Sequence, residues 1–531
     1  MTVNDSSSSV INRVAVDHRW APIPSRLLTG TDLELVAPLS VVTPGAMPPR
    51  QRPIERASLA AALGTANDGY GHPGAMSLAA KLADPNTQVV VTGQQPGLWG
   101  GPLLTLVKAL AAVRWAEAIE RAGTPAMAVF WIATEDHDWR EVAQASIVAR
   151  NQVERLSLGD DPAPLLPVGM RTLGPSLEAI EAQLADVYPG ADRRLESLRR
   201  GYRPESRFGE AFARLLVDLM GERTPLLLDS MLPAVKQAQR PFLRTLVEER
   251  EALDGLLQAR ERAVLDAGLP LQVTPQPGVS PLFLVRGGER RRIEWREGGQ
   301  WSLRGTDDPR PVADLLATID DNPAVVSPGV LARPAMQDAI LGTALMVLGP
   351  AELSYMTQAS ASHQLLGIPT PAITLRPSAV LVEARQMEHL RELGVSVADV
   401  LEQAPTSLVA AVFEGEPLAA PRERVAAALD EIRQVTTTLD ASLARPFEKT
   451  REQIDRALDK LSEKVTGASA RRHEVWLRRL EKIQLQLLPD GAWQERVMSV
   501  GHFLLRYGPD FADSLFDQLE LDPRYLSVVE I

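Results

Sequence analysis

Two short stretches near the N-terminus constrain the fold of this chain more than anything else in it. Residues 89–102 read VVVTGQQPGLWGGP and residues 129–141 read VFWIATEDHDWRE. Each starts as a run of β-branched or aromatic residues and ends in a knot of polar and glycine residues. Between them Leu103, Leu106, Val107, Leu110 and Val113 recur at helical spacing, and Gly101-Pro102 reads as a helix start. Strand, loop, helix, strand is the opening unit of a doubly wound α/β domain. Ligands of such domains sit beyond the carboxyl ends of the strands, and both knots fall there. The chain is therefore read as α/β, with two site loops side by side in space.

At 531 residues the chain is too long for one ordinary core, and two to four domains are expected. A net charge of -12 gives no support for sequence-independent nucleic-acid binding. The longest basic run, Arg290 to Arg292, reads as a solvated strand face. With no cysteine, disulfides, thiolate zinc sites and a cysteine nucleophile are excluded. No run of about 20 apolar residues offers a bilayer span. The polar N-terminus has no apolar signal core. A soluble cytoplasmic protein with a frayed first ten residues is expected.

The texture changes along the chain. Prolines at 22–24 and 44–53 suggest extended chain over a surface. Residues 1–385 read as the α/β core, interrupted by a helical insertion at about 151–205 and a Gly-Gly-punctuated β-meander at about 270–325. Residues 335–347 suit a buried helix, a strand, or one after the other, and 371–375 suit the last strand of the sheet. Residues 386–500 are rich in Leu, Arg, Glu and Ala and read as a helical hairpin or coiled coil, with Pro446 placed to kink or break it. Residues 501–531 are expected to return to the body.

Three clusters carry chemistry. Gly93, Gly97, Gly100 and Gly101 would let backbone N–H groups approach a phosphate or carboxylate, helped by the helix start. The loop is neither a Walker A motif nor GxGxxG, and a plain tight turn would use the same glycines. Lys108 either reaches back to this loop or extends to solvent. The second cluster is Glu135, Asp136, His137 and Asp138. A carboxylate beside a histidine suits proton transfer, and the group also suits a divalent cation carried with a nucleotide phosphate. An acidic loop with an incidental histidine is the bland alternative. Trp131 and Trp139 flank it, for stacking or for the core. The third cluster, Arg333, Gln337, Asp338, Glu352, Tyr355 and Gln358, joins the site only if its segment closes the same sheet. His18, His72, His363, His389, His473 and His502 have no ligand-like spacing and read as surface or packing residues.

The catalytic candidates are thus Lys108, Asp136, His137 and Asp138. The binding candidates are Thr92, Gly93, Gln94, Gln95, Gly97, Gly101, Pro102, Trp131, Glu135, Arg333, Gln337, Asp338, Tyr355 and Gln358. No metal ligand is assigned.

TGQQPGLWGGP with Lys108, and FWIATEDHDWREV, resemble signature stretches of the cysteine-adding enzymes of bacillithiol biosynthesis, the BshC family. The likeness continues in SPGVLARPAMQD (327–338), LGPAELSYMTQ (348–358), GIPTPAITLRPSAVLVE (367–383), LLPDGAWQERV (487–497) and RYGPD (506–510). Val107, Trp99 and Trp139 depart from the family's usual residues. The resemblance implies a Rossmann-like core with connecting-peptide insertions, similar to class I aminoacyl-tRNA synthetases. It also implies a C-terminal α-helical coiled coil supporting a homodimer. The implied activity is addition of L-cysteine to the amine of glucosaminyl-malate. Joining a carboxylate to an amine is uphill in water, so ATP is the expected co-substrate, with Mg²⁺ as a companion. Two other readings stand beside this one: another ATP-dependent amide ligase or nucleotidyltransferase on the same core, and a non-catalytic helical scaffold protein.

Overall fold

The computed structural model describes residues 13–16, 21–29, 39–274, 276, 278–414 and 418–531. The expected frayed first ten residues and His18 lie outside the described residues.

The strand of residues Gln88–Gln94 is followed by the helix Leu104–Arg121 and the strand Ala126–Ile132. The two strands pair in parallel along their whole length, from Gln88 opposite Ala126 to Gln94 opposite Ile132. Leu226–Asp229 extends the sheet beyond Ala126–Ile132. The chain then crosses to the other flank of the first strand, where Thr343–Leu348, Ala372–Leu375 and the short Ser40–Val41 complete six parallel strands. The order therefore reverses between Gln88–Gln94 and Thr343–Leu348. That reversal opens a crevice at the carboxyl ends of the strands.

Parallel sheets need cover on both faces, and the alternation of side chains supplies it. Val90, Ala128, Phe130 and Leu227 pack with the Leu104–Arg121 helix. Val89, Val91, Val129, Trp131 and Leu228 pack on the opposite face, against Leu59, Ala60 and Leu63 of the helix Ala57–Tyr70. The ambiguous 335–347 segment is a helix and then a strand: Arg333–Leu341, a left-handed Gly342, and Thr343–Leu348.

The insertions differ in detail from their expectation. The first opens with an antiparallel hairpin, Gln144–Ala149 with Gln152–Ser157, before its helices Ser176–Val187 and Asp192–Gly201. Arg150 and Asn151 both take positive φ, which closes the hairpin without glycine and hides the turn from sequence. The second is a five-stranded antiparallel sheet, turning at Gly287-Gly288 and Gly298-Gly299. Pro22–Pro24 is not extended chain. It opens the helix Pro22–Thr29, because proline is tolerated in a first turn.

Beyond the sheet, Ala419–Leu439 and Ala444–Arg472 form the helical hairpin, tied by Arg422 to Asp459 and Arg451 to Asp430. The break is at Asp440, whose side chain accepts the Ser442 N–H at 2.8 Å. Pro446 sits in the first turn of the second helix, so it neither kinks nor breaks it. The final strand Tyr525–Glu530 pairs with Ser378–Val382, next to the end of the main sheet's chain, and with Arg13–Ala15.

Candidate active site

The crevice is a cavity of about 600 Å³ at the strand-order reversal. Both knots reach it. Gly93, the penultimate residue of its strand, lies so close to the neighbouring strand that a Cβ there would meet the Trp131 carbonyl oxygen at 2.6 Å. Two glutamines then tie the loops together. Gln95 Nε2 donates to Asp136 Oδ2 (3.1 Å) and Glu141 Oε2 (3.0 Å), and Gln94 Nε2 donates to Glu141 Oε1 (3.1 Å).

Lys108 turns toward the loop and is only 2% exposed. Its ammonium donates to the Gly93 carbonyl (2.9 Å), Gln94 Oε1 (3.1 Å) and Glu352 Oε2 (2.5 Å). Glu352 sits in the first turn of the helix Pro350–Leu366 and also accepts the Gly349 N–H at 2.6 Å. Burial pushes the Glu352 carboxyl up, but Lys108, Gly349 and Arg333 outweigh it and hold the group below its ordinary range. It is a carboxylate paired with an ammonium. The pair bolts the first knot to the far side of the crevice.

Of the second knot, Glu135, Asp136 and His137 line the cavity. Glu135 is buried against Lys236 of the helix Pro233–Glu248. His137 is half-buried. Burial lowers its basicity first, and the Arg290 guanidinium, with Nη1 3.2 Å from Nδ1, lowers it further. Glu141 also lines the wall. Burial and the neighbouring Asp138 and Asp136 push its carboxyl up.

The third cluster divides. Arg333 and Tyr355 line the cavity, with Arg333 Nη2 donating to the Tyr355 hydroxyl at 2.6 Å. Gln337 and Asp338 lie behind them in the core, where Asp338 Oδ2 is 2.7 Å from His363 Nε2 and Oδ1 accepts from Gln337. Gln358 uses both ends of its amide on the Val273 backbone.

Several other candidates are likewise engaged away from the cavity. The Thr92 hydroxyl donates to the Val347 carbonyl at 2.8 Å, across the sheet. Gly97 packs on Gly101, where a Cβ would meet the Gly101 Cα at 2.7 Å. Pro102 bridges to Ser499, while Leu103 N–H donates to the Met498 carbonyl and Val500 N–H to that of Gly101. The helix start expected to cradle an anion is thereby covered by the chain near residue 499. Asp138 is exposed and accepts the Glu141 N–H as an N-cap. Trp131 lines the cavity within the core, and Trp139 packs beneath Arg171, 4.8 Å from the guanidinium carbon. The remaining described histidines pack: His72 on the Thr224 carbonyl, His389 on Trp476, His473 on Phe413 and His502 on Tyr188.

The cavity also contains arginines that sequence reasoning passed over. Arg290 and Arg292 alternate to one side of the strand Glu289–Arg296 and face the crevice, whereas Arg291 turns away and pairs with Glu289 at 2.7 Å. The run expected to be a solvated face thus has Arg290 only 5% exposed. Arg376 follows the strand Ala372–Leu375, and Arg496 comes from the C-terminal part of the chain. Alternation within RRR and the position of Arg376 at a strand end were signals available in sequence; nothing local marks Arg496.

Six cations therefore line the site. Lys108 is paired with Glu352, Arg290 lies 3.6 Å from Asp136, and Arg376 pairs with buried Glu495 at 2.7 Å. Among the described residues, Arg292, Arg333 and Arg496 form no ion pair within 4 Å, although Glu352 and Asp338 act on Arg333, and Glu495 on Arg496, from farther away. Guanidinium groups left in this state at a strand-order reversal suit a ligand bearing carboxylates or phosphates.

Comparison with known proteins agrees with this architecture. Residues 46–377 match the family model described as Bacillithiol biosynthesis BshC, N-terminal Rossmann-like domain, and residues 379–523 match the BshC C-terminal coiled-coil domain. A protein of Salinibacter ruber named "Putative cysteine ligase BshC" is 32% identical over 500 residues, covering 91% of this chain and 90% of its own length. Proteins of the same name from Solibacter usitatus (30% identical, 88% of each chain) and Thermus thermophilus (34%, 79% of this chain and 84% of the relative) are also similar. Rossmann-like core, coiled coil and relatives that align along nearly the whole length together show that this chain belongs to the BshC family.

Proposed function

We propose that the protein is a cysteine ligase of bacillithiol biosynthesis, joining the carboxyl group of L-cysteine to the amine of glucosaminyl-malate. In this reading ATP activates the cysteine carboxylate, and the enzyme works in the cytoplasm as a homodimer through its C-terminal helices. The observation that carries the reading is the set of three guanidinium groups, Arg292, Arg333 and Arg496, that form no ion pair within 4 Å among the described residues in the cavity built by both family loops. Malate brings two carboxylates and ATP brings phosphates, so both substrates carry the charge that complements these three guanidinium groups.

The chain's residues divide the work accordingly. Lys108 and Glu352 hold the first loop, and Arg333 is aimed by Tyr355. The attacking amine must lose a proton, and the wall supplies Asp136 and Glu141 as acceptors. A raised carboxyl such as that of Glu141 takes a proton more readily than an ordinary one. Mg²⁺ is commonly held by one or two carboxylates plus substrate phosphates, and it enters here with ATP. Among the described residues no three His, Asp or Glu side chains form a metal cluster of their own. No helix among them is long and apolar enough to cross a membrane.

The test is to incubate the purified chain with L-cysteine, glucosaminyl-malate and ATP, following the thiol product by mass spectrometry and ATP cleavage in parallel. Product formation with consumption of ATP is expected. Turnover only with a different amine or acid would move the protein to another amide ligase. Neither binding nor turnover with any of them would leave the helical scaffold.

A further inference from the structure

The contact between Arg290 and His137 decides which imidazole nitrogen carries a proton. A guanidinium has donors and no acceptor, so the nitrogen that faces it must present a lone pair. Arg290 Nη1 is 3.2 Å from His137 Nδ1. The neutral ring then carries its proton on Nε2.

A competing arrangement exists. Asp136 Oδ1 lies 3.5 Å from the same Nδ1, and a proton shared there would leave Nε2 free to act as a base. Several features favour the arginine. Asp136 Oδ1 already accepts the His137 backbone N–H at 2.7 Å, and Oδ2 accepts from Gln95. Arg290 is buried and fixed. Its Nε donates to Ser327 Oγ at 2.9 Å, and its guanidinium carbon lies 3.8 Å from the Phe283 ring centre. Nε2 of His137 has no partner among the described residues, and the ring lines the cavity. Of the charged groups around the imidazole, Asp136 and Asp138 favour its protonation and Arg290 and Arg171 oppose it.

We infer that Arg290 is a positioning residue that locks His137 as the Nε2–H tautomer, so that His137 donates a hydrogen bond to a carboxyl or phosphoryl oxygen of the bound substrate. Proton acceptance from the amine then belongs to the carboxylates of the wall. The donor role rests on the proposed function of the cavity; the tautomer does not.

Two measurements separate these parts. Nitrogen-15 NMR of the full chain, with His137 assigned by its loss in His137→Gln, reads the tautomer directly. The wild type is expected to show Nε2–H, and Arg290→Met to shift the ring toward Nδ1–H facing Asp136. Arg290→Lys, which keeps the charge without the fork, is the second variant should the methionine fail to fold; it is expected to weaken the lock. An Nδ1-protonated ring in the wild type, or a tautomer unmoved by either variant, would overturn the inference.

The second measurement is turnover. Losing one preorganised donor costs about 10²–10³-fold in kcat, which is the loss expected for His137→Ala. A glutamine amide presents an N–H near the place of Nε2. His137→Gln should therefore recover to within about tenfold of wild type, a deficit of some 1.4 kcal/mol. A glutamine as inactive as alanine would identify a base and sink the donor role. A wild-type chain with no ligase activity would refute the proposed function and with it the donor role, leaving the tautomer to be judged by the NMR.

Discussion

Replacing Arg333 by methionine removes a guanidinium that forms no ion pair within 4 Å and keeps most of its aliphatic stem, so the loss reads mainly the charged head. The guanidinium is aimed by the Tyr355 hydroxyl, 2.6 Å from Nη2, and needs no rearrangement to meet a ligand. At about 4 Å and an effective dielectric near 20, a full pair of charges interacts by about 4 kcal/mol. Exchange with water reduces this, and hydrogen bonds to charged groups net about 1.5–3 kcal/mol. At 1.4 kcal/mol per tenfold, Arg333→Met should weaken glucosaminyl-malate binding by about 10–150-fold. Tyr355→Phe keeps the charge and only frees its aim, so a loss of about 2–10-fold is expected, in line with one ordinary hydrogen bond. Isothermal titration calorimetry with glucosaminyl-malate, and with glucosamine lacking the malate, is the assay. The malate-free amine should bind equally poorly to both proteins. If Arg333→Met binds the malate compound within twofold of wild type, or weakens both amines alike, the cavity does not recognise its ligand through this charge.

Four further outcomes are expected. Gly93→Ala should lower soluble yield and melting temperature, because its Cβ would press on the Trp131 carbonyl and force apart two central strands. Lys108→Met should leave the Glu352 carboxylate without its cation; breaking such a pair costs about 3–5 kcal/mol, nearer the low end here because the Glu352 side chain is 23% exposed, and Glu352→Gln in the same chain should restore part of the loss in thermal melts. Burial, and then Arg506, depress the His502 imidazole from 6.5 to about 3, so the unfolded chain binds the extra proton first; stability is full above pH 6.5 and falls by at most about 1.4 kcal/mol per unit as the pH drops toward 3, a slope that His502→Gln should flatten. Val435 and Leu439 stand 69% and 82% exposed on one stripe of the helical hairpin; if the proposed homodimer forms there, replacing both by glutamate should shift the mass measured by light scattering from dimer to monomer, whereas a monomeric wild type or an unchanged dimer mass would refute that placement.

Much of the site was legible where chemistry and secondary structure share one local pattern. The apolar runs before GQQPG and EDHD had to be strands, their connection had to be a helix, and right-handed crossover placed their ends together. Gln94, Gln95, Asp136 and His137 follow from that alone. The same reasoning overreached for Gly97, Gly101 and Pro102: a helix start binds an anion only when it is open, and here residues 498–500 lie across it. The direction of Lys108 stayed open and Arg290 read as solvated, since most cations stay in water unless a partner is visible. Their partners, Glu352 and His137, lie 244 and 153 residues away.

By itself the sequence determined the strand–loop–helix–strand unit, its parallel pairing, the Gly-Gly turns of the second insertion and the family, because hydrophobic period, turn chemistry and motif order are local properties. The tertiary structure alone decided which polar residues share a cavity. Thr343–Leu348 settles on the far side of the first strand, and Arg290, Arg376 and Arg496 arrive from three separate parts of the chain. Coulombic and hydrogen-bond energies depend on distance in space, and no spacing along the chain records it.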